Sequence, residues 1–250
     1  MLPRQKPPPP SVGPERNLRG SFLGLSLLGL TACAPPALRI PALEQPGLTA
    51  QFLPGAGYAH LAYLAPGQPR HRLHVYLEGD GRPWRNRTTI NADPTPHTVL
   101  MAELLAQDTA PRLFLGRPCY HGLATALGCS PELWTMKRYS EPVVASLAAA
   151  LQHLLSQQPQ VSELAFIGHS GGGTLALLLA ARFPQTRAVV TLGANLDHAL
   201  WTTQGGYTPL HGSLNAMNLP PLPFPQWHYV GARDTQVPPA TTQAILRTQP

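Results

Sequence analysis

The stretch that most constrains this chain is Leu164-Ala165-Phe166-Ile167-Gly168-His169-Ser170-Gly171-Gly172-Gly173, followed by the Ala/Leu-rich run from Thr174 to Ala181. An apolar segment of strand length ends in a glycine-flanked serine, and a helical segment leaves it. A serine on so sharp a turn leaves no room for side chains on its neighbours, so Gly168 and Gly172 let strand and helix close up. The turn would lift the Ser170 hydroxyl above the end of a sheet. The first N–H groups of a helix would lie beneath it, where developing negative charge is favoured. Ser170 is therefore the candidate nucleophile, and an ordinary glycine-rich turn is the competing reading.

A chain of 250 residues suits one α/β domain. Its 43% hydrophobic content is enough for a full core, while 30 prolines and only 12% charged residues imply many stiff loops. The net charge is +6, but residues 1–32 hold four basic residues and one acidic one, leaving 14 basic against 11 acidic beyond them. No Lys/Arg cluster with interleaved aromatics occurs, so nucleic acid is not an expected partner.

The N-terminal segment is polar and proline-rich, with Arg16 and Arg19 just before an apolar run from Ser21 to Leu30. A run of ~10 residues is too short to span a bilayer as a helix and suits the core of a signal peptide. It ends in Leu30-Thr31-Ala32-Cys33. These four residues resemble the bacterial lipoprotein signal, in which a leucine and two small residues precede the cysteine that is lipidated. The resemblance implies a signal peptide over 1–32, attachment of palmitate-type lipid at Cys33, and a membrane-anchored protein of the bacterial cell envelope. Ala34 after the cysteine is what outer-membrane lipoproteins facing the periplasm tend to show. Residues 33–56 then read as a proline-broken tether and 57–250 as the folded domain.

Cys119 and Cys129 lie ten apart in a Gly/Pro loop. In an exported chain they read most simply as a disulfide, with two free thiols as the alternative. No C-x-x-C or H-E-x-x-H spacing occurs, so neither a metal site nor a cofactor is expected. Strands are expected over Tyr58 to Leu64, Arg72 to Leu77, Arg112 to Leu115, Leu164 to Ile167, Ala188 to Leu192 and Gln226 to Val230. Helices are expected over Pro96 to Gln107, Ser140 to Gln157, Gly173 to Phe183 and Pro239 to Arg247. Ala199 to Pro225 reads as a long loop over the site. Strands alternating with helices give an α/β class with a mainly parallel sheet and helices on both faces.

A serine needs a base, and the base needs an orienting acid. After Ser170 the chain has only two acids, Asp197 and Asp234. Asp234 closes the segment Val230-Gly231-Ala232-Arg233-Asp234 behind the last strand and is the preferred acid; Asp197, behind the preceding strand, is the alternative. The backbone N–H of Gly171 is one expected oxyanion donor. A second is expected from Glu78-Gly79-Asp80-Gly81, at Asp80 with Gly79 beside it, the side chains of Glu78 and Asp80 organising the loop.

Residues 58–250 resemble the α/β-hydrolase superfamily. More narrowly, they resemble bacterial lipoprotein or secreted hydrolases carrying Tyr76 to Gly81, Arg117 to Cys119, Gly168 to Gly172, Ala194 to His198 and Val230 to Pro239. The resemblance implies an α/β-hydrolase fold and a serine esterase or lipase acting on a small-molecule ester. One element departs from the pattern. The superfamily places its catalytic histidine on a loop after one further strand, and no histidine follows Asp234 in this sequence. That strand and loop are absent here, for which truncation is the leading expectation. His198 or His211 could substitute as base; otherwise the chain is a non-catalytic envelope lipoprotein keeping the fold as a binding or structural module. An exposed sheet edge and low stability are expected consequences of truncation.

Overall fold

A computed structural model describes residues 40–98, 100–243, 245–247 and 249. The expected signal segment, Cys33 and the first part of the expected tether lie outside the described residues. Among the described residues, seven strands form one sheet: β1 (Thr49–Pro54), β2 (Ala59–Ala65), β3 (Arg72–Leu77), β4 (Arg112–Leu115), β5 (Glu163–His169), β6 (Thr186–Leu192) and β7 (Gln226–Tyr229). Their order is β1-β2-β4-β3-β5-β6-β7. β2 runs antiparallel to both its neighbours, and β4, β3, β5, β6 and β7 are parallel to one another.

The two-residue period of the strands divides the core. Leu73, Val75 and Leu77 of β3, Leu113 and Leu115 of β4, and Leu164 and Phe166 of β5 face the larger core. There they meet α2 (Glu141–Ser156) and α3 (Gly171–Ala180). The intervening Tyr76 and Phe114, with Ile167 packed beside them, face a smaller core under α1 (Leu100–Gln107). With helices on both faces, the parallel strands are apolar nearly throughout rather than alternating. Every residue of α3 is buried, which explains why its sequence is apolar on all sides.

Three expectations need correction. The stretch read as a tether contains β1, whose Leu53 is buried, and a 3-10 turn, Pro41–Leu43, whose Leu43 is buried; the domain therefore starts ahead of residue 57. β1 was missed because Phe52 and its neighbours on an edge strand stay exposed, so the apolar signal is weak. The segment 199–225 is not all loop: α4 (His198–Gly205) opens it and a 3-10 turn, Ala216–Asn218, lies within it. The helix expected from Pro96 starts at Leu100, and Pro94 and Pro96 hold the approach extended. The last helical stretch is α5 (Pro239–Gln243) with a 3-10 turn at Ile245–Arg247.

Cys119 and Cys129 are joined as a disulfide. Among the described residues β7 is an edge strand, and Trp227 and Tyr229 on one face of it are 48% and 59% exposed. No helix among the described residues is long and apolar enough to cross a membrane.

Candidate active site

The chain passes from β3 to β4 on one side and returns through α2 to β5 on the other, so the strand order reverses between β3 and β5. Crevices at the carboxyl ends of strands flanking such a reversal are where α/β sheets place ligands. Ser170 follows β5 there, and Glu78-Gly79-Asp80 follows β3. Ser170 has φ 52° and ψ −126°, a left-handed conformation that a serine adopts only at a cost. Its N–H donates to Leu192 O of β6 at 2.9 Å, and its carbonyl accepts from Gly173 N–H at 2.9 Å, which fixes the turn from both sides. The side chain is half-buried, and its Oγ is hydrogen-bonded to no described residue.

The glycines around it are required by contact. A Cβ on Gly168 would meet the Gly172 carbonyl, and one on Gly172 would meet the carbonyls of Leu77 and Glu78. On Gly79 it would lie 3.2 Å from Ser170 Cβ. The loop after β3 thus runs directly alongside the serine. Gly171 N–H opens α3, and the N–H groups of Gly79 and Asp80 donate to no described residue. These are the expected oxyanion donors.

Beneath them lies a buried charge cluster. Asp80 Oδ1 accepts from Arg117 Nη1 at 2.5 Å, and Oδ2 accepts from Arg138 Nη1 at 2.9 Å and from the Tyr139 hydroxyl at 2.6 Å. Tyr120 OH donates to the Asp80 carbonyl at 3.0 Å, Arg117 Nη2 to the Arg138 carbonyl at 2.9 Å, and Asn195 Nδ2 to Tyr139 OH at 3.1 Å. Burial alone would raise the Asp80 carboxyl, but Arg138 and Arg117 outweigh it and hold the group down to about 2. Burial, and then the Asp80 carboxylate, push the Tyr139 phenol well above its ordinary value, so it stays a donor. The carboxylate is thus fully engaged with Arg117, Arg138 and Tyr139, in keeping with a loop-organising role. Glu78 has a different partner: its Oε1 accepts from His121 Nε2 at 2.5 Å, both side chains nearly buried.

Asp234 stands in the loop behind β7. Its Oδ1 accepts from the N–H groups of Gln236 (2.8 Å) and Val237 (2.9 Å), and its Oδ2 lies 3.3 Å from where a Cβ on Gly193 would be. Gly193 ends β6 with φ 51°, so the two tops meet there. Trp201 Nε1–H donates to Gln236 O at 2.7 Å, tying α4 to this loop. Asp197 does other work: it caps α4, its Oδ1 accepting from Ala199 N–H, Leu200 N–H and Asn215 Nδ2.

Neither expected substitute base is brought to the serine. His198 is buried, its ring 6.2 Å from that of Tyr139, and it lines a groove with Leu178, Ala181 and Arg182 toward the far end of α3. His211 is exposed and hydrogen-bonded to Pro209 O through its backbone only. His228 bonds Thr191 Oγ1 and Gln226 Oε1. His169 lines a cavity beside Gly79; burial lowers its imidazole, opposed by the Asp234 and Asp80 carboxylates. Among the described residues, no group of three or more His, Cys, Asp or Glu could hold a metal ion.

Sequence reading missed Arg138, Tyr139, Tyr120 and His121. The signal for the cluster was an arginine, Arg117, two residues before a cysteine in an otherwise apolar stretch. The partners come from three loops, and nothing in their spacing joins them.

This sheet order, with the serine turn after β5 and Asp234 after β7, is the α/β-hydrolase fold. A crystal structure of dienelactone hydrolase from Anabaena variabilis superposes with TM-score 0.53 at 17% identity, over 82% of this chain and 82% of that one. An esterase of Pyrococcus furiosus does so with TM-score 0.57 at 13% identity, over 81% of this chain and 79% of that one. A serine hydrolase without a lid from Xanthomonas campestris gives 0.51 at 14% identity, over 82% and 81%. The family model for lipase (class 3) matches residues 117–194, the part from the disulfide loop through the serine turn to the end of β6. No curated protein matches the chain by sequence.

Proposed function

We propose that the chain is a serine hydrolase acting on esters through an acyl-enzyme at Ser170. The observation that carries the reading is the left-handed, unpartnered serine at the N-terminus of α3, flanked by free N–H groups on two elements. Similarity of residues 117–194 to class 3 lipases, and of the fold to an esterase, points the same way. In the reaction Ser170 Oγ attacks the ester carbonyl carbon while a base takes its proton. Gly171 N–H and the N–H of Asp80 or Gly79 hold the oxyanion. The tetrahedral intermediate collapses, the alcohol leaves with a proton, and water then releases the acid by the same steps. Asp234 Oδ2 is the group that would orient an imidazole.

Among the described residues no histidine ring is hydrogen-bonded to Ser170, and loss of the base in a triad costs ~10⁶ in turnover. The reading therefore has a specific consequence. Free imidazole should restore part of the hydrolysis of short p-nitrophenyl esters, saturably, and the restored part should vanish in Ser170→Ala. If imidazole does no more for the protein than for Ser170→Ala, the reading fails. The same missing base favours the second reading, a non-catalytic binding module, which that outcome would support.

The anchor belongs to the proposal too: Leu30-Thr31-Ala32-Cys33 supports attachment to the bacterial cell envelope by lipid at Cys33, on the periplasmic face of the outer membrane. Incorporation of labelled palmitate that survives Cys33→Ser would contradict it.

A further inference from the structure

A cavity of about 310 Å³ opens beside Gly79 on the α1 side of the sheet, next to the serine turn. Pro41, Met101 and Phe114 give it apolar walls, and Glu78, His121 and His169 give it a polar one. The reaction as written uses neither Glu78 nor His121, yet the chain goes to some length to place them. His121 has φ 56°, and Cys119, two residues earlier, has φ 69°. Two left-handed non-glycine residues so close together each cost of order 1 kcal/mol. His121 N–H donates to Thr95 Oγ1 at 2.6 Å, and its ring packs against Phe114 with centroids 5.9 Å apart.

The pairing fixes which atoms are on offer. A carboxylate only accepts, so His121 Nε2 carries the proton it donates to Glu78 Oε1. In the neutral ring Nδ1 is then an acceptor, and it has no partner among the described residues; nor does Glu78 Oε2. The polar wall thus presents acceptors and calls for a donor. Charge decides which kind. Two buried guanidiniums, Arg117 and Arg138, both pair with the Asp80 carboxylate, and Glu78 pairs with His121. Each buried charge there already has a partner, so an ammonium would enter as an unmatched charge, whereas a hydroxyl would not. Size limits the rest: a water occupies about 30 Å³ of liquid, so the cavity holds roughly ten non-hydrogen atoms.

We propose that this cavity is the recognition pocket of the Ser170 site and takes a short hydroxyl-bearing group, its hydroxyl donating to His121 Nδ1 or Glu78 Oε2. This rests on Ser170 being the nucleophile and narrows its substrates to small esters of polyols or hydroxy acids, in place of long fatty acyl esters.

Binding to the Ser170→Ala protein, measured by calorimetry, tests the pocket without needing turnover. Glycerol monobutyrate should bind about tenfold more tightly than propyl butyrate, the gain expected for one or two hydrogen bonds. The preference should be lost in Ser170→Ala/His121→Phe and reduced in Ser170→Ala/Glu78→Gln, which keeps an acceptor for His121 and guards against misfolding. Binding of glycerol monobutyrate should also shift the His121 ring nitrogen resonances. Equal affinity for the two esters, a preference that survives both substitutions, or tighter binding of propyl decanoate would overturn the proposal. Failure of the serine reading would show separately, as a lack of Ser170 reactivity in the unsubstituted chain.

Discussion

The Asp80 carboxylate lies against the Cα of Gly171, so that a Cβ there would collide with Asp80 Oδ1 and the Tyr139 hydroxyl. The first residue of α3 and the loop after β3 are therefore locked to one buried anion, which Arg117 and Arg138 hold in place from the other side. The proposed oxyanion donors sit on these two pieces of backbone. Their spacing is set by the charge cluster below them, not by each other.

That clamp should be costly to break. Arg138→Met removes the Nη1 bond to Asp80 and leaves the anion with one guanidinium; breaking a buried pair from one side costs about 3–5 kcal/mol. Chemical denaturation should show a loss of that size, with the midpoint displaced and the slope unchanged. Asp80→Asn/Arg138→Met should lose less than the two single variants together, because the orphaned charge is gone. Strict additivity would mean that the cluster is not one unit.

Gly172→Ala drives a methyl into the carbonyls of Leu77 and Glu78, which are backbone and cannot swing away. A loss of about 1–3 kcal/mol in stability is expected from such overpacking. Gly206→Ala serves as comparison: nothing lies within 4 Å of its Cβ, though its φ of 60° carries strain of its own. A thermal melt in which the two variants fall equally would deny the tight contact at the elbow.

Acid should destabilise the protein in two stages. His60 is buried, with Nδ1 on the Gly116 carbonyl and Nε2 on Ser146 Oγ, and burial lowers it from 6.5 to about 4. Between those values the unfolded chain takes up a proton that the folded chain refuses, so stability falls as pH drops from 6.5 toward 4, by about 3 kcal/mol in all. Asp80 acts lower. Held down to about 2, its contribution is complete above the ordinary carboxylate value and is lost as pH falls through about 2. Melting temperature against pH should decline through the first window in the unsubstituted protein and decline less steeply in His60→Gln, where His169, His198 and His228, also lowered by burial, still titrate.

Reduction of Cys119–Cys129 frees a loop of ten residues, for which the chain-entropy argument gives about 2–4 kcal/mol. Because the loop carries His121, the Cys119→Ser/Cys129→Ser protein should lose discrimination between hydroxylated and plain esters along with stability. A double variant that melts earlier but still discriminates would place His121 under other control.

The sheet was largely legible in the sequence because its strands are buried on both faces and read as apolar runs; β3 and β4 fall at their expected limits, and β5 contains the expected strand. β1 escaped because an edge strand with Phe52 half exposed has no such pattern. α4 escaped for a related reason: His198–Gly205 carries little apolar periodicity and is held by the Asp197 cap at one end and by Gly206 in a left-handed conformation at the other. At the site, the serine turn announces itself because glycine is the only residue its contacts admit. The position of Asp234 behind the last strand was legible because it follows the end of that strand closely in the sequence. Arg138 and His121 were not, since what defines them is a partner some 40 to 60 residues away.

The central claim is that Ser170 is a poised nucleophile lacking only a base, and labelling with a fluorophosphonate tests it most directly. The purified chain should gain one phosphonyl group slowly, located at Ser170 by mass spectrometry, and imidazole should raise the rate at least tenfold. Ser170→Ala should remain unlabelled with or without imidazole. A folded protein that takes no label at Ser170 even with imidazole present would contradict the account.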